Sequence, residues 1–196
     1  MPLSRALLQI TVAILCATLI GCAELEQARD TAMNAARSAS SVFQPNNGYW
    51  NPSGASGSPK IVVNLQQQRA FFYKGKKVIG QSTISTGRHG YETPPGHYYV
   101  TQKDEHHVSN IYGDFVGKDG RVVKANVSSV KDRPPAGTHF VGAKMPYFLR
   151  FTSAYGMHAG YVPRYRASHG CIRLPTPMAK RFFHAAKLGT PVVVKE

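Results

Sequence analysis

The sequence predicts a mostly β domain with one clear helix near the C-terminus, carried behind an export signal and a stalk. Three observations predict it. Short runs rich in Val, Ile, Phe and Tyr recur from residue 60 onward, separated by Gly, Pro, Asn and Lys, which is the pattern of consecutive strands. Thr176-Pro177 opens, and Leu188-Gly189 closes, a single stretch with helix start and stop signals. Residues 23–59 carry neither pattern. They run from an Ala/Glu/Gln/Arg/Ser-rich segment of weak helical propensity into the spacer-like "QPNNGYWNPSGASGSP".

The first 22 residues read as an export signal. Arg5 supplies the positive end, and residues 7–20 form an apolar run shorter than the roughly 20 residues a transmembrane helix needs. It ends in Leu19-Ile20-Gly21-Cys22, which resembles a bacterial lipobox, with cleavage after Gly21 and a lipid on Cys22. The expected organisation is a signal peptide over 1–21, a lipid-anchored stalk and flexible linker over 22–59, and a folded domain over 60–196. The body is then expected in the periplasm, tied to a membrane. Ala23 after the cysteine leans toward the outer membrane. Fully extended, the linker would reach on the order of 100 Å at ~3.3 Å per residue.

Within the folded part, "IVVNL" (61–65) and "AFFY" (70–73) read as a hairpin, and "VIGQSTIS" (78–85) follows the Lys74-Gly75-Lys76 turn as a third meander strand. Thr93-Pro94-Pro95-Gly96 is a turn before "HYYVTQ". Residues 103–138 are less patterned and read as a long excursion with short strands, its His106-His107 pair in an exposed loop. Strands return at 139–143 and 147–152. The helix is expected over 177–187 with Thr176 as N-cap, and "PVVV" (191–194) closes the domain.

The chain has 24 Lys and Arg against 10 Asp and Glu, a formal charge of +14. Three cations and three acids precede Lys60, so the whole excess belongs to the folded part. Such a surface suits an anionic partner. No run of five or more Lys/Arg occurs, so nucleic acid is not indicated.

Cysteine usage is more specific. Cys16 leaves with the signal and Cys22 takes the lipid, so Cys171 has no disulfide partner in its own mature chain. A lone cysteine is either an inert buried residue or a reactive thiol, and the latter needs a base or a cation beside it. His169 and Arg173 are two residues away in "SHGCIR"; His158, in "AYGMHAG", lies upstream. If residues 168–174 are extended, His169, Cys171 and Arg173 share a face about 6.5–7 Å apart at Cα, too far for a well-angled bond from His169 to sulfur. His158, arriving from a separate strand, fits a base better. The competing reading, a zinc site from His158, His169 and Cys171, has no HExxH or CxxC spacing behind it.

"HAG" followed by "SHGCIRL", together with "STGRHGYETPPGHYYV" and "MPYFLRFTSAYGMHAG", resembles the L,D-transpeptidase catalytic domain (YkuD-type), whose members cross-link peptidoglycan. The likeness covers residues 60–196 and implies a β-sandwich or barrel-like fold. It implies Cys171 as acyl-accepting nucleophile, His158 as base and then acid, and the Ala159 carbonyl orienting the imidazole in place of a carboxylate. In keeping with this, no Asp or Glu lies between Asp132 and Glu196. It further implies that His169 and Gly170 shape the loop and that the Gly170 and Cys171 N–H groups stabilise an oxyanion. Arg173 would hold the loop or bind a substrate carboxylate, Ser168 is placed at the substrate, and Tyr155 or Tyr147 lines the donor site. The expected donor is a tetrapeptide stem that loses D-Ala from diaminopimelate. The expected acceptor is a peptidoglycan amine, a protein lysine or, in a hydrolytic alternative, water. A non-catalytic wall-binding lipoprotein is the remaining alternative. No cofactor or metal is expected. Ala159 departs from the glycine common after the histidine, but both supply a carbonyl.

Overall fold

The computed structural model describes residues 48–163 and 165–196. The signal, lipobox and stalk readings lie outside the described residues. Among the described residues no helix is long and apolar enough to cross a membrane.

The meander forms as its alternation demands. β1 (Tyr49–Trp50), β2 (Pro59–Asn64), β3 (Arg69–Lys74) and β4 (Lys77–Thr83) lie in a six-stranded sheet of order β1-β4-β3-β2-β13-β5, completed by β5 (Gly96–Tyr99) and β13 (Pro191–Lys195). Ile61, Val63, Ala70, Phe72, Val192 and Val194 all point to one buried face at the two-residue period of a strand. The closing strand β13 runs parallel to β2 and antiparallel to β5.

A second sheet, of order β12-β11-β10-β6, gathers β6 (Gln102–Asp104), β10 (Phe148–Arg150), β11 (Gly156–Ala159) and β12 (Ile172–Leu174). The helix α1 (Thr176–Ala185) packs on β10 and β11, burying Met178, Ala179, Phe182 and Phe183. Met157, Ile172 and Leu174 join these residues and the inner face of the first sheet in one hydrophobic core. Burial at ~25 cal/mol per Å² of apolar surface is what holds the layers together. Pro175, rather than Thr176, occupies the N-cap, and the helix ends at Ala185, two residues before its expected end. Lys187 and Thr190 instead form a turn: the Lys187 N–H donates to Thr190 Oγ1 at 2.8 Å.

Two expectations change. The stretch read as a spacer belongs to the fold from residue 48. Tyr49 and Trp50 pair with Gln81 and Gly80 of β4, and the Trp50 ring meets Phe72 at 5.2 Å and Phe182 at 5.8 Å. The polar neighbours masked one anchoring indole. The excursion is also more regular than expected. β7 (Val108–Gly117), β8 (Val122–Ser128) and β9 (Thr138–Lys144) make a separate three-stranded sheet of order β8-β7-β9. Register shifts within β7 and an exposed run over 122–126 spoil the alternation that would have revealed it.

Candidate active site

β11 and β12 run parallel, with Met157 opposite Ile172 and His158 opposite Arg173. This pairing brings His158 to the segment that holds Cys171. Both line one cavity of about 640 Å³, with Arg150 and Arg173 beside them. The three-stranded sheet supplies the facing wall through Asn110, Tyr112, Asp114 and Asn126.

His158 is buried, and its Nδ1 lies 2.9 Å from the Ala159 carbonyl oxygen. A carbonyl only accepts, so Nδ1 carries the proton and Nε2 is left as the acceptor. Burial pushes its pKa down to about 4. The Ala159 bond opposes that, while Arg173 and His107 add to it. At neutral pH the ring is an uncharged base.

Cys171 is half-buried and free. Burial pushes its thiol pKa up; a backbone hydrogen bond from Gly156 and the charges of Arg150 and Arg173 oppose this. The pair therefore rests as thiol and neutral imidazole, not as an ion pair. The sulfur becomes nucleophilic when its proton moves to a base.

Ser168 makes an isolated bridge to Gly87, residues 169–171 bend, and only residues 172–174 form a strand. Gly170 sits at φ +111°, a conformation open to glycine, and a Cβ there would fall 2.2 Å from Cε1 of Tyr155. The Ser168 hydroxyl donates to the Cys171 carbonyl and accepts the Gly170 N–H at 3.1 Å. Thr93, buried, donates to the Gly170 carbonyl at 2.7 Å and accepts the Gly87 N–H at 3.0 Å. Ser168 lines the cavity, with its hydroxyl closing the loop. Two placements are thereby corrected. The Gly170 N–H is already bonded to Ser168 and is not aimed at an oxyanion. Tyr155 packs against Gly170 instead of lining the cavity. Tyr147 is also misplaced: its ring lies against Phe183 and His184 of α1, 5.8 and 6.2 Å away.

His169 lines the cavity but is not set up as the base. Its Nε2 lies 2.8 Å from Arg88 Nη2, and a guanidinium only donates, so Nε2 accepts there. The ring stacks on Tyr112 (4.4 Å, 19°) and meets Tyr91 edge-on (4.8 Å, 84°). Burial, with Arg88 and Arg173, holds its pKa below the ordinary value. A nitrogen already bonded to a guanidinium is a poor zinc ligand. Among the described residues no group of three or more His, Cys, Asp or Glu is placed to hold a metal ion.

His107 is not the exposed loop residue expected. It is half-buried, stacks on Phe148 at 4.1 Å, bonds Asp104 through Nδ1 at 3.1 Å and lines the cavity. Tyr112, Arg88 and Thr93 were also missed. Only Thr93 had a sequence signal, inside the Thr-Pro-Pro-Gly turn; Tyr112 and Arg88 matter through contacts made across the chain.

Residues 58–194 match the family model described as the YkuD L,D-transpeptidase catalytic domain. No curated protein matches the chain. Among solved structures, the chain is similar to an L,D-transpeptidase from Stackebrandtia nassauensis (21% identity, TM-score 0.52, 72% of this chain and 57% of that one). It is similar to one from Mycobacterium smegmatis (16%, 0.54, 71% and 59%). It is also similar to a mutant L,D-transpeptidase from Enterococcus faecium (24%, 0.53, 71% and 50%). The likeness to these structures is one of fold, and the chain spans about half to three-fifths of their length.

Proposed function

From its membership of the YkuD L,D-transpeptidase catalytic domain family, to which this chain belongs, we propose that it is a cysteine acyltransferase acting on peptidoglycan stem peptides. The observation that carries the reading is the His158 imidazole, held through Nδ1 by the Ala159 carbonyl and sharing one cavity with the free Cys171 thiol.

His158 Nε2 takes the proton of Cys171 as sulfur attacks the carbonyl between diaminopimelate and D-Ala of a tetrapeptide stem. The imidazolium then protonates the departing amine, D-Ala leaves, and a thioester remains on Cys171. An acceptor amine attacks the thioester and passes its proton to His158, and the thiol is restored on collapse. An amine of another stem gives a 3→3 cross-link; a protein lysine gives attachment. No carboxylate is required in this scheme, since the imidazole is oriented by a carbonyl. Arg173 lines the cavity with no carboxylate partner among the described residues, and we assign it to a substrate carboxylate. The chain acts in the periplasm, held to a membrane through a lipid on Cys22, and the +14 charge favours an anionic wall polymer.

One L,D-transpeptidase of similar fold was solved in complex with imipenem. The test is incubation of this protein with imipenem, followed by intact-mass measurement. One covalent adduct per chain is expected, and Cys171→Ala should abolish it. An unmodified mass for folded wild-type protein would count heavily against a catalytic thiol.

A further inference from the structure

Asp114 is the one carboxylate among the residues lining the cavity, where Lys144, Arg150 and Arg173 supply the cations. It is carried on β7, whose residues 109–114 line the cavity and whose Tyr112 ring reaches His169. Phe115, the next residue, is buried on the other side against Phe140 at 6.2 Å.

Asp114 lacks a counter-ion; among the described residues the only other such carboxylate is Glu105, which does not line the cavity. Five other carboxylates pair with a cation or histidine: Glu92 with His89, Asp104 with His107, Asp119 with Arg121, Asp132 with Lys124 and Glu196 with Arg166. In a chain of charge +14, with Lys144 lining the same cavity, Asp114 has no such partner among the described residues. Its orientation is nonetheless fixed, because Oδ1 accepts the Asn126 N–H at 2.8 Å. Asn126 itself adopts φ 56°, a left-handed conformation that asparagine tolerates better than most residues.

The cavity therefore has guanidinium groups near Cys171 and one fixed, unpaired carboxylate on the wall formed by β7. That arrangement complements a ligand bearing both a carboxylate and an ammonium. We propose that Asp114 is a specificity-determining residue that binds the free side-chain ammonium of the diamino acid in the donor stem. This inference rests on the acyl-transfer reading above and adds to it the charge of the donor side chain that is recognised. A carboxylate held by a backbone N–H needs little reorganisation to meet an ammonium, and partial burial strengthens the pairing. A donor with its side-chain amine blocked loses this contact and leaves the carboxylate facing an apolar group.

The test uses the full-length protein with two tetrapeptide donors, one with a free side-chain amine and one N-acetylated at that amine. The readout is Cys171 acylation, with a penem that carries no cation as the control for thiol reactivity. Wild type is expected to show a KM about tenfold lower for the free-amine donor. In Asp114→Asn, which keeps the Oδ1 acceptor for Asn126, that preference should disappear while penem acylation stays within about twofold. If Asp114→Asn fails to fold, the wild-type preference must itself shrink toward unity as ionic strength rises to ~1 M. A preference that survives in Asp114→Asn, or that ignores salt, overturns the inference and leaves the acyl-transfer reading standing. If wild type takes neither donor, the functional reading falls and this inference falls with it.

Discussion

His158 shows how a single buried side chain sets a pH profile. Its folded pKa of about 4 lies below the ordinary 6.5, because burial disfavours the charged ring. The base is therefore uncharged at all but acid pH. The acid limb of kcat/KM for acylation is expected near pH 4, measured with imipenem across a pH series; a limb near 6.5 would contradict it. The same shift carries a stability consequence. Between pH 6.5 and about 4 the unfolded chain binds a proton at this position that the folded chain does not. Stability thus falls as pH drops through that window, by up to ~1.4 kcal/mol per pH unit. Denaturation of wild type and His158→Gln should show a shallower acid slope for the variant. Gly170 makes a second residue-scale case. Gly170→Ala adds a Cβ 2.2 Å from Tyr155 at φ +111°. We expect roughly 2–4 kcal/mol lower stability and at least about tenfold slower acylation. Tyr155→Ala should restore part of the stability in the double variant, since it removes the clash but not the backbone strain.

At the scale of elements, the regular alternation of β2, β3 and β13 and the proline-initiated helix were legible because a buried face imposes a strict period on a strand or a helix. Cys171 and His158 were legible as a pair because the residue types that can carry a thiol and a base are few. The Ala159 carbonyl was anticipated from the resemblance and from the lack of any acid between residues 133 and 195. What was not legible depends on long-range packing. Tyr147 and Tyr155 sit near the active strands in sequence, yet one turns to α1 and the other under Gly170. Tyr112 reaches His169 from a sheet whose register shifts concealed it. The two-residue strand β1 was hidden for the opposite reason: its segment is polar apart from Tyr49 and Trp50. Trp50→Ala is expected to cost about 2–4 kcal/mol through lost contact with Phe72 and Phe182, read as a fall in denaturation midpoint. A chain cut at Lys60 should fall at least as far. A midpoint unchanged in both would mean that β1 contributes nothing to the core.

For the described residues as a whole, two packed sheets and a helix hold the Cys171 segment on one side, while a third sheet walls the cavity on the other. The charge distribution matches that division. The cations are spread over the folded part, and the cavity combines guanidinium groups with an unpaired carboxylate. On the function proposed above, a broad basic surface would draw the domain to an anionic polymer, and the cavity would then select among its peptide stems. The most direct measurement is the fate of a tetrapeptide stem incubated with this protein and an amine acceptor. Acyl transfer through Cys171 predicts release of D-Ala, a transient thioester on Cys171 alone and a new amide to the acceptor, all lost in Cys171→Ala. Stem turnover that persists in Cys171→Ala, or folded wild type that releases no D-Ala, would contradict it.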